Sequence, residues 1–210
     1  MKTILIFCAH SDDEAVGMGG TIQKLVEAGF EIIKIVFSYG EQSHPHFQKD
    51  IVIKKRKSET KKASEFLGIS ETKFLGLPDI KIKENLFSQN IKNQLSQLLN
   101  KYKPNKIYVP SAIDPHPDHR AVNNAILEIV DKSRKKYEVF EFEVWNVIKE
   151  NKPTVYVDIT PYYNKKVNYM KLFKSQWQYM YALWLPVYLR SKAYGRINHC
   201  RFAEKFYKVR

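Results

Sequence analysis

Residues 3–14 read TILIFCAHSDDE, an apolar run that ends in one histidine and three acidic side chains. The uninterrupted apolar run predicts a strand over residues 3–8 that is covered on both faces, as in a parallel sheet. Residues 15–28 follow with apolar side chains at helical spacing, and Gly29 is suited to end that helix. The ionisable residues therefore lie at the carboxyl end of the first strand, where open α/β sheets place their sites.

The alternation of strand and helix continues along the chain. Further strands are predicted over residues 31–37, 72–75, 106–109, 139–147 and 154–157, and further helices over residues 54–67, 86–102, 120–132 and 162–176. This alternation predicts a Rossmann-like layered α/β fold: a mostly parallel sheet flanked by helices, with the active site at the C-terminal ends of the strands. We expect one domain over residues 1–210, with the aromatic segment from about 177 to 210 packed on or near the site.

The composition restricts the classes of partner. The net charge of +13 favours an anionic partner, although a solvated lysine-rich surface explains it equally well. No zinc-finger spacing, leucine zipper or aromatic RNA-binding motif accompanies the charge, so we expect no specific nucleic-acid partner.

The expected location follows from cysteine usage and hydropathy. Cys8 and Cys200 are too few and too distant for a disulfide framework, which fits a reducing, cytoplasmic location. No apolar segment approaches the roughly 20 residues that span a bilayer, so no transmembrane helix is expected. Peripheral membrane association stays open. The aromatic tail favours core packing or an interface in a homo-oligomer, and the alternative is a wall that stacks on sugar rings or on a lipid-linked substrate.

A second polar cluster, Asp114-Pro-His-Pro-Asp-His119, follows the predicted strand at residues 106–109. If this strand is parallel to the first and close to it, the two polar loops meet at one edge of the sheet. Their imidazoles and carboxylates are the ligands that zinc and similar divalent ions take, commonly with three protein ligands and one water. Either cluster alone is explained by helix capping, whereas both together favour a metal-dependent hydrolase.

The two motifs resemble the signatures of the PIG-L/LmbE-like family of zinc-dependent N-acetylglucosaminyl de-N-acetylases. Further stretches resemble landmarks of the same family: Ser38-Tyr-Gly-Glu41, the helix from Arg56 to Gly68, Phe74-Leu-Gly-Leu-Pro-Asp79, Val157-Asp-Ile-Thr160, Lys174-Ser-Gln176 and Ala203-Glu-Lys-Phe206. One departure is Ser11, which stands where the family usually has proline, a residue that would stiffen the turn.

The resemblance implies a role for each polar residue of the two motifs. The implied metal ligands are His10, Asp13 and His119, for zinc or for another divalent ion such as Fe²⁺. Asp12 would be the general base, and His116 the electrophilic partner or general acid. Asp118 would orient or charge-pair a histidine. The substrate contacts expected from the other landmarks and loops are Arg56, Glu41, His44 and Tyr194.

The implied activity is hydrolysis of the acetyl group from an N-acetylated amino sugar of the N-acetylglucosamine type, or from a related amide. The excess of basic over acidic residues favours an anionic substrate. Two alternatives stay open: a metal-dependent hydrolase of another bond, such as a phosphoester, and a non-catalytic sugar-binding relative of the same fold. The glycines at positions 17, 19 and 20 do not follow the strand directly, so close helix packing explains them better than a dinucleotide site.

Overall fold

The protein is described by a computed structural model over residues 2–43, 46–86, 88–145 and 151–210. In this part of the chain, seven strands form one sheet in the order β3-β2-β1-β4-β5-β7-β6. The strands are β1 (Thr3–Cys8), β2 (Glu31–Ser38), β3 (Glu71–Leu77), β4 (Lys106–Pro110), β5 (Glu138–Phe142), β6 (Thr154–Asp158) and β7 (Ala203–Lys208). Strands β1 to β5 are parallel, and β7 runs antiparallel to both β5 and β6. The predicted layered α/β fold is confirmed.

Helices cover both faces of the sheet. They are α1 (Asp13–Glu27), α2 (Lys49–Leu67), α3 (Ile82–Leu86), α4 (Gln89–Tyr102), α5 (Pro117–Lys132), α6 (Tyr163–Met170) and α7 (Trp177–Ile197). Alternate side chains of β1 point to opposite faces. Ile4 and Ile6 pack in a core with α1, α6 and α7, whereas Leu5 and Phe7 pack in a second core with α4 and α5. Burial on both faces is the reason for the continuous apolar run of β1.

Several element boundaries differ from the sequence prediction. The predicted helix over 86–102 is α4, which begins at Gln89 because the Ser88 hydroxyl accepts a hydrogen bond from the Ile91 amide, and the short helix α3 before it had not been predicted. The predicted helix over 162–176 ends at Met170. The predicted strand over 139–147 ends at Phe142, and its last two positions lie outside the described residues. Helix α7 and strand β7 had not been predicted.

The glycines of α1 let this helix lie close to its neighbours. A Cβ atom on Gly17 would fall 2.4 Å from Cδ2 of Phe142 and 2.8 Å from the Glu143 carbonyl oxygen. A Cβ atom on Gly20 would fall 2.8 Å from Cβ of Ile159. The expectation that these glycines serve close packing is therefore confirmed.

Strand β7 also fixes the middle of α1. The Glu204 carboxylate accepts hydrogen bonds from the backbone amides of Gly20 (3.1 Å) and Thr21 (2.7 Å), and it pairs with Lys166 at 2.6 Å. Helix α1 is non-helical at Met18, two residues before the first of these contacts. Among the described residues, no helix combines the length and the apolar character that crossing a bilayer requires.

Candidate metal centre

The loops after β1 and β4 meet at the carboxyl edge of the sheet. Strands β1 and β4 are direct parallel neighbours, so the two loops leave the sheet side by side. A ring nitrogen from each of His10, His116 and His119 lies within 4.8 Å of the other two. The expected convergence of two segments that are distant in sequence is therefore present.

One oxygen of Asp13 lies between two of these histidines. Asp13 Oδ1 is 3.1 Å from Nε2 of His119 and 3.8 Å from Nδ1 of His10. Ligand atoms at zinc distances in a tetrahedral site are separated by about 3.3 Å. Asp13 is therefore close enough to each of the two histidines to share an ion with it, and the role of these three residues as metal ligands stays a prediction.

In His10 and His119, the ring nitrogen that does not face Asp13 faces another carboxylate. His10 Nε2 donates to Asp79 Oδ1 at 3.0 Å and lies 3.5 Å from Asp118 Oδ2, while His119 Nδ1 lies 2.9 Å from Asp114 Oδ1. Metal-binding histidines characteristically have such a partner, which fixes the tautomer and turns the other nitrogen toward the ion. The arrangement on both histidines fits a metal centre.

The surroundings of the buried His119 ring bear on whether a cation fits this site. It is 1% exposed, and neither ring nitrogen forms a hydrogen bond of good geometry, although both lie within 3.1 Å of a carboxylate oxygen. The short distances pair the imidazole with Asp13 and Asp114. The hydrogen-bond angle at Nε2 is poor, so this nitrogen has no well-aligned acceptor. A buried imidazole nitrogen in this state is suited to hold a cation that it shares with Asp13.

The carboxylates determine how the metal-free site holds protons. Burial opposes charge on His119, but Asp13 and Asp114 outweigh it and raise the pKa of His119 to about 9. Burial likewise opposes charge on His10, and its pKa is nevertheless raised by the carboxylates of Asp118, Asp13 and Asp79. The site therefore attracts positive charge, and a metal ion would have to displace protons from it.

Asp12 lies beside the ligand set without joining it. It is 8% exposed, and its backbone oxygen accepts the first hydrogen bonds of α1, from Ala15 and Val16. Its carboxylate oxygen lies 3.4 Å from the Arg56 guanidinium. Arg56 is held by the carbonyl oxygen of Gly40 at 3.1 Å. Asp12 is thus a carboxylate at the pocket wall that is paired with Arg56.

His116 begins α5 and faces the same pocket. Its Nδ1 accepts a hydrogen bond from the Asp118 amide at 3.2 Å, so the proton of the neutral ring lies on Nε2. Burial, together with the nearby rings of His10 and His119, lowers the pKa of His116. His116 is therefore set up as a neutral hydrogen-bond donor through Nε2, in contrast to its two neighbours.

A second group of potential ligands, His10, Asp79 and Asp118, lies on the far side of His10. Its carboxylate oxygens already accept backbone hydrogen bonds. Asp79 Oδ2 accepts from the Gln42 amide, and Asp118 Oδ2 accepts from the Ile80 amide, each at 3.0 Å. The contacts of this group hold the His10 ring, and the orienting role of Asp118 stays a prediction.

A pocket of about 290 Å³ opens over the ligand set. Its polar wall comes from the loops after β1, β2, β3 and β4, and its other wall is apolar and aromatic. That second wall includes Val144, Trp145, Tyr179, Met180 and Leu183. The rings of Trp145 and Tyr179 meet edge to face with centroids 6.0 Å apart. The start of α7 thus lines the pocket opposite the histidines.

The expected substrate contacts divide into three cases. Arg56 lines the pocket. Glu41 is absent from the pocket lining and accepts a hydrogen bond from the Asp79 amide at 3.0 Å, so it supports the loop behind His10. The structure does not bring Tyr194 to the pocket, because its ring is buried beside β7 and its hydroxyl donates to Glu143 at 2.6 Å. His44 lies outside the described residues.

Sequence reasoning assigned no role to the two residues that orient the histidines, Asp79 and Asp114. Both lie inside quoted motifs, yet only the three-dimensional contacts identify their histidine partners. It also missed Lys34, although a lysine in the middle of the apolar strand EIIKIVFS is a signal for a buried ion pair.

Lys34 forms that ion pair directly behind the metal-binding loop. Its ammonium lies 2.6 Å from the Glu14 carboxylate, and both side chains are fully buried. Glu14 also accepts hydrogen bonds from the Tyr169 hydroxyl and from Sγ of Cys8. Burial raises the pKa of Glu14, and Lys34 opposes that rise. The pair fixes Glu14, the direct neighbour of Asp13 at the start of α1.

Comparison with known proteins gives a consistent result. The family model described as PIG-L, GlcNAc-PI de-N-acetylase, matches residues 5–130. A diacetylchitobiose deacetylase of Thermococcus kodakarensis is 26% identical over 222 residues, which cover 97% of this chain and 82% of that protein.

Two solved structures are similar over nearly the whole chain. N,N'-diacetylchitobiose deacetylase from Pyrococcus horikoshii matches with a TM-score of 0.86 and 23% identity, covering 99% of this chain and 84% of the other. GalB, the 4-carboxy-2-hydroxymuconate hydratase from Pseudomonas putida KT2440, matches with a TM-score of 0.80 and 21% identity, covering 100% and 97%. These likenesses establish the fold alone. Because a deacetylase and a hydratase share it, the chemistry has to be argued from the site.

Proposed function

This chain belongs to the PIG-L family of GlcNAc-PI de-N-acetylases, and we propose that it is a zinc-dependent hydrolase that removes the acetyl group from an N-acetylated amino sugar. One observation carries the proposal. The loops that carry His10, Asp13 and His119 meet at one edge of the sheet, and Asp12 and His116 line the same pocket beside them. Metal storage or simple sugar binding would not require these two additional groups.

The ligand atoms proposed for the metal are Nδ1 of His10, Oδ1 of Asp13 and Nε2 of His119. A divalent ion bound there would supply Lewis acidity and lower the pKa of a water molecule. Two imidazoles and one carboxylate favour zinc and also accommodate Fe²⁺. Asp79 and Asp114 hold the two imidazoles in the required orientation.

Asp12 is the proposed general base. Its carboxylate takes a proton from the water whose oxygen attacks the acetyl carbonyl carbon, and it can return that proton to the departing amine nitrogen. The Arg56 guanidinium at 3.4 Å keeps the Asp12 carboxylate facing the pocket. The C–N bond then breaks, which leaves acetate and a free amino sugar.

His116 is the proposed stabiliser of the negative charge that develops on the carbonyl oxygen. Because its Nδ1 is occupied by the Asp118 amide, Nε2–H is the atom that can donate into the pocket. The lowered pKa of His116 keeps the ring neutral before the substrate binds. It acts as a hydrogen-bond donor and does not need a permanent positive charge.

The aromatic wall supports a sugar as the substrate. Trp145 and Tyr179 present rings at the pocket mouth, with 38% and 40% of their surface exposed. Rigid aromatic side chains offer apolar area at low entropic cost, which suits the apolar face of a pyranose ring. Arg56 adds positive charge on the opposite wall, which is consistent with a preference for an anionic sugar.

The test is acetate release from a panel of substrates: N-acetylglucosamine, N,N'-diacetylchitobiose and anionic N-acetylglucosamine conjugates. We expect Asp12→Asn to retain the metal and to lose about 10²–10⁴-fold in kcat. The matched control is Asp131→Asn, which removes an exposed carboxylate that pairs with Arg210 on the surface. Turnover by Asp12→Asn near the wild-type rate would disprove the base assignment.

The metal assignment is tested separately by metal content after dialysis. We expect His119→Ala to lose the ion, whereas Asp12→Asn keeps it. Full metal content in His119→Ala would show that the ion binds elsewhere. Wild-type protein that contains metal but releases no acetate from any member of the panel would contradict the deacetylase proposal.

A further inference from the structure

Helix α7 buries only one narrow stripe of its surface. Met180, Leu183, Val187 and Tyr194 recur at helical spacing and pack on the core. The remaining surface of its first half is also apolar, and it faces outward. The exposed apolar side chains there are Trp177, Tyr181, Trp184, Leu185 and Leu189, with Tyr181 80% and Trp177 61% exposed. We call these five side chains the aromatic face. Residues 177–189 contain no charged side chain.

The aromatic face continues into an apolar groove between α6 and α7. The groove measures about 280 Å³ and is bordered by Val167, Met170 and Phe173 on one side and by Trp177, Tyr181 and Trp184 on the other. Lys171 and Lys174 lie at its rim. A contiguous apolar surface rimmed by basic side chains marks a site of interaction rather than ordinary solvent-exposed surface.

The stretch of sequence that contains this face carries charge of a single sign. No aspartate or glutamate occurs between Asp158 and Glu204. The basic residues of that stretch are Lys165, Lys166, Lys171, Lys174, Arg190, Lys192, Arg196 and Arg201. Lys171 and Lys174 are exposed just before α7, and Lys192 and Arg196 are exposed in its last part. Exposed positive charge therefore stands at both ends of the aromatic face.

We propose that the aromatic face docks on the surface of an anionic lipid bilayer. Tryptophan and tyrosine are the side chains that favour the boundary between headgroups and acyl chains. A helix with an apolar face and flanking lysines lies in that boundary without crossing the bilayer. The flanking lysines and arginines gain favourable energy from anionic headgroups. The proposal does not depend on the deacetylase assignment.

Charge complementarity favours lipid over a second copy of the chain. In a two-fold symmetric dimer the same patch meets itself, so Lys171, Lys174 and Lys192 of both copies would approach one another without an acidic partner in the stretch. An anionic bilayer offers the missing negative charge. A dimer through this face is therefore the alternative outcome of the test.

The experiment is co-sedimentation of the full chain with vesicles. One set contains phosphatidylcholine alone, and the other contains about 30% phosphatidylglycerol, whose negative charge attracts basic residues near the surface. We expect binding to the anionic vesicles that weakens as salt is added, and little binding to the neutral ones. Equal binding to both sets, or binding to neither, would overturn the proposal.

Variants locate the binding surface. Tyr181→Ser should weaken binding to the anionic vesicles severalfold, and because Tyr181 is 80% exposed this change leaves the core intact. Its control is Ile51→Ser, which removes a 54% exposed apolar side chain from α2. Lys171→Gln with Lys174→Gln should weaken binding by about fivefold for each lysine. The control with equal charge is Lys54→Gln with Lys55→Gln, two exposed lysines of α2.

Unchanged vesicle binding by Tyr181→Ser and by the Lys171/Lys174 variant would refute the assignment of the surface. Sedimentation velocity without lipid tests the alternative. Self-association that Tyr181→Ser abolishes, together with no vesicle binding by the wild type, would identify a second copy as the occupant and would overturn the lipid proposal.

Discussion

Asp114→Asn tests whether the carboxylate behind His119 belongs to the metal centre. Asp114 is completely buried, and its Oδ1 lies 2.9 Å from Nδ1 of His119 and accepts the His116 amide at 2.9 Å. Its Oδ2 accepts the Trp145 amide at 3.1 Å. An asparagine has one oxygen, so either His119 or the Trp145 amide must face an NH₂ group. In either orientation the change removes the negative charge behind His119, while it preserves the size of the side chain.

The expected loss is about 10–100-fold in metal affinity, the range found when the outer partner of a metal-binding histidine is removed. That range corresponds to about 1.4–2.8 kcal/mol of binding free energy. The assay is competition for the metal between the dialysed protein and a chelator of known affinity. Asp131→Asn serves as control, because it removes one carboxylate charge at the surface.

A dissociation constant for Asp114→Asn within error of the wild type would refute the assigned role of Asp114. Thermal unfolding of the metal-free variant separates the two possible causes of a loss. If its melting temperature matches that of the metal-free wild type, weaker metal binding reports on His119 and does not report on a damaged fold.

Two further predictions concern charge around the site. Lys34→Met should cost about 3–5 kcal/mol of unfolding free energy at neutral pH, because it leaves the Glu14 carboxylate buried without its counter-charge. Since burial raises the pKa of Glu14, this cost should shrink as the pH falls, and the double variant with Glu14→Gln should recover most of it. Urea unfolding measures both effects, and a loss below about 1 kcal/mol would contradict the role of the ion pair. Metal affinity should rise toward pH 9 by about tenfold per pH unit for each histidine that must release a proton, because the raised pKa values of His10 and His119 make protons compete with the metal. In the metal-free protein, the stabilising His119–carboxylate pairing is fully present below the ordinary histidine pKa of about 6.5 and is lost as the pH rises through 9. Chelator competition at several pH values measures the metal effect, and a flat profile would contradict it.

The sequence was most informative where local pattern and burial agree. The strand at Thr3–Cys8 was predicted with its observed bounds, because a strand covered on both faces must be apolar at every position. The two polar loops were predicted to meet, because the carboxyl ends of parallel neighbours share one edge. These features depend on periodicity and on the general rules of α/β folds.

The remaining features depend on contacts between distant segments. The orientation of His10 requires Asp79, whose loop turns at Ile80 with a positive φ of 65°, where the Ile80 amide donates to Asp79 and to Asp118. A positive φ is strained for a β-branched side chain, so a turn at isoleucine is not predictable from the sequence. Strand β7 was missed because its pattern, AEKFYK, mixes polar and apolar residues without clear alternation.

The position of β7 has a consequence for how the protein forms during translation. Strand β7 leaves the ribosome after β5 and β6, yet in the finished sheet it lies between them and is the strand partner of both. Until residues 203–208 emerge, β6 has no place in the sheet and one side of β5 presents unpaired amides and carbonyls. An open strand edge of that kind invites pairing with other chains. A nascent chain that stalls before Ala203 should therefore aggregate or require a chaperone, although β1 and β4, which lead into the two polar loops, have already been made.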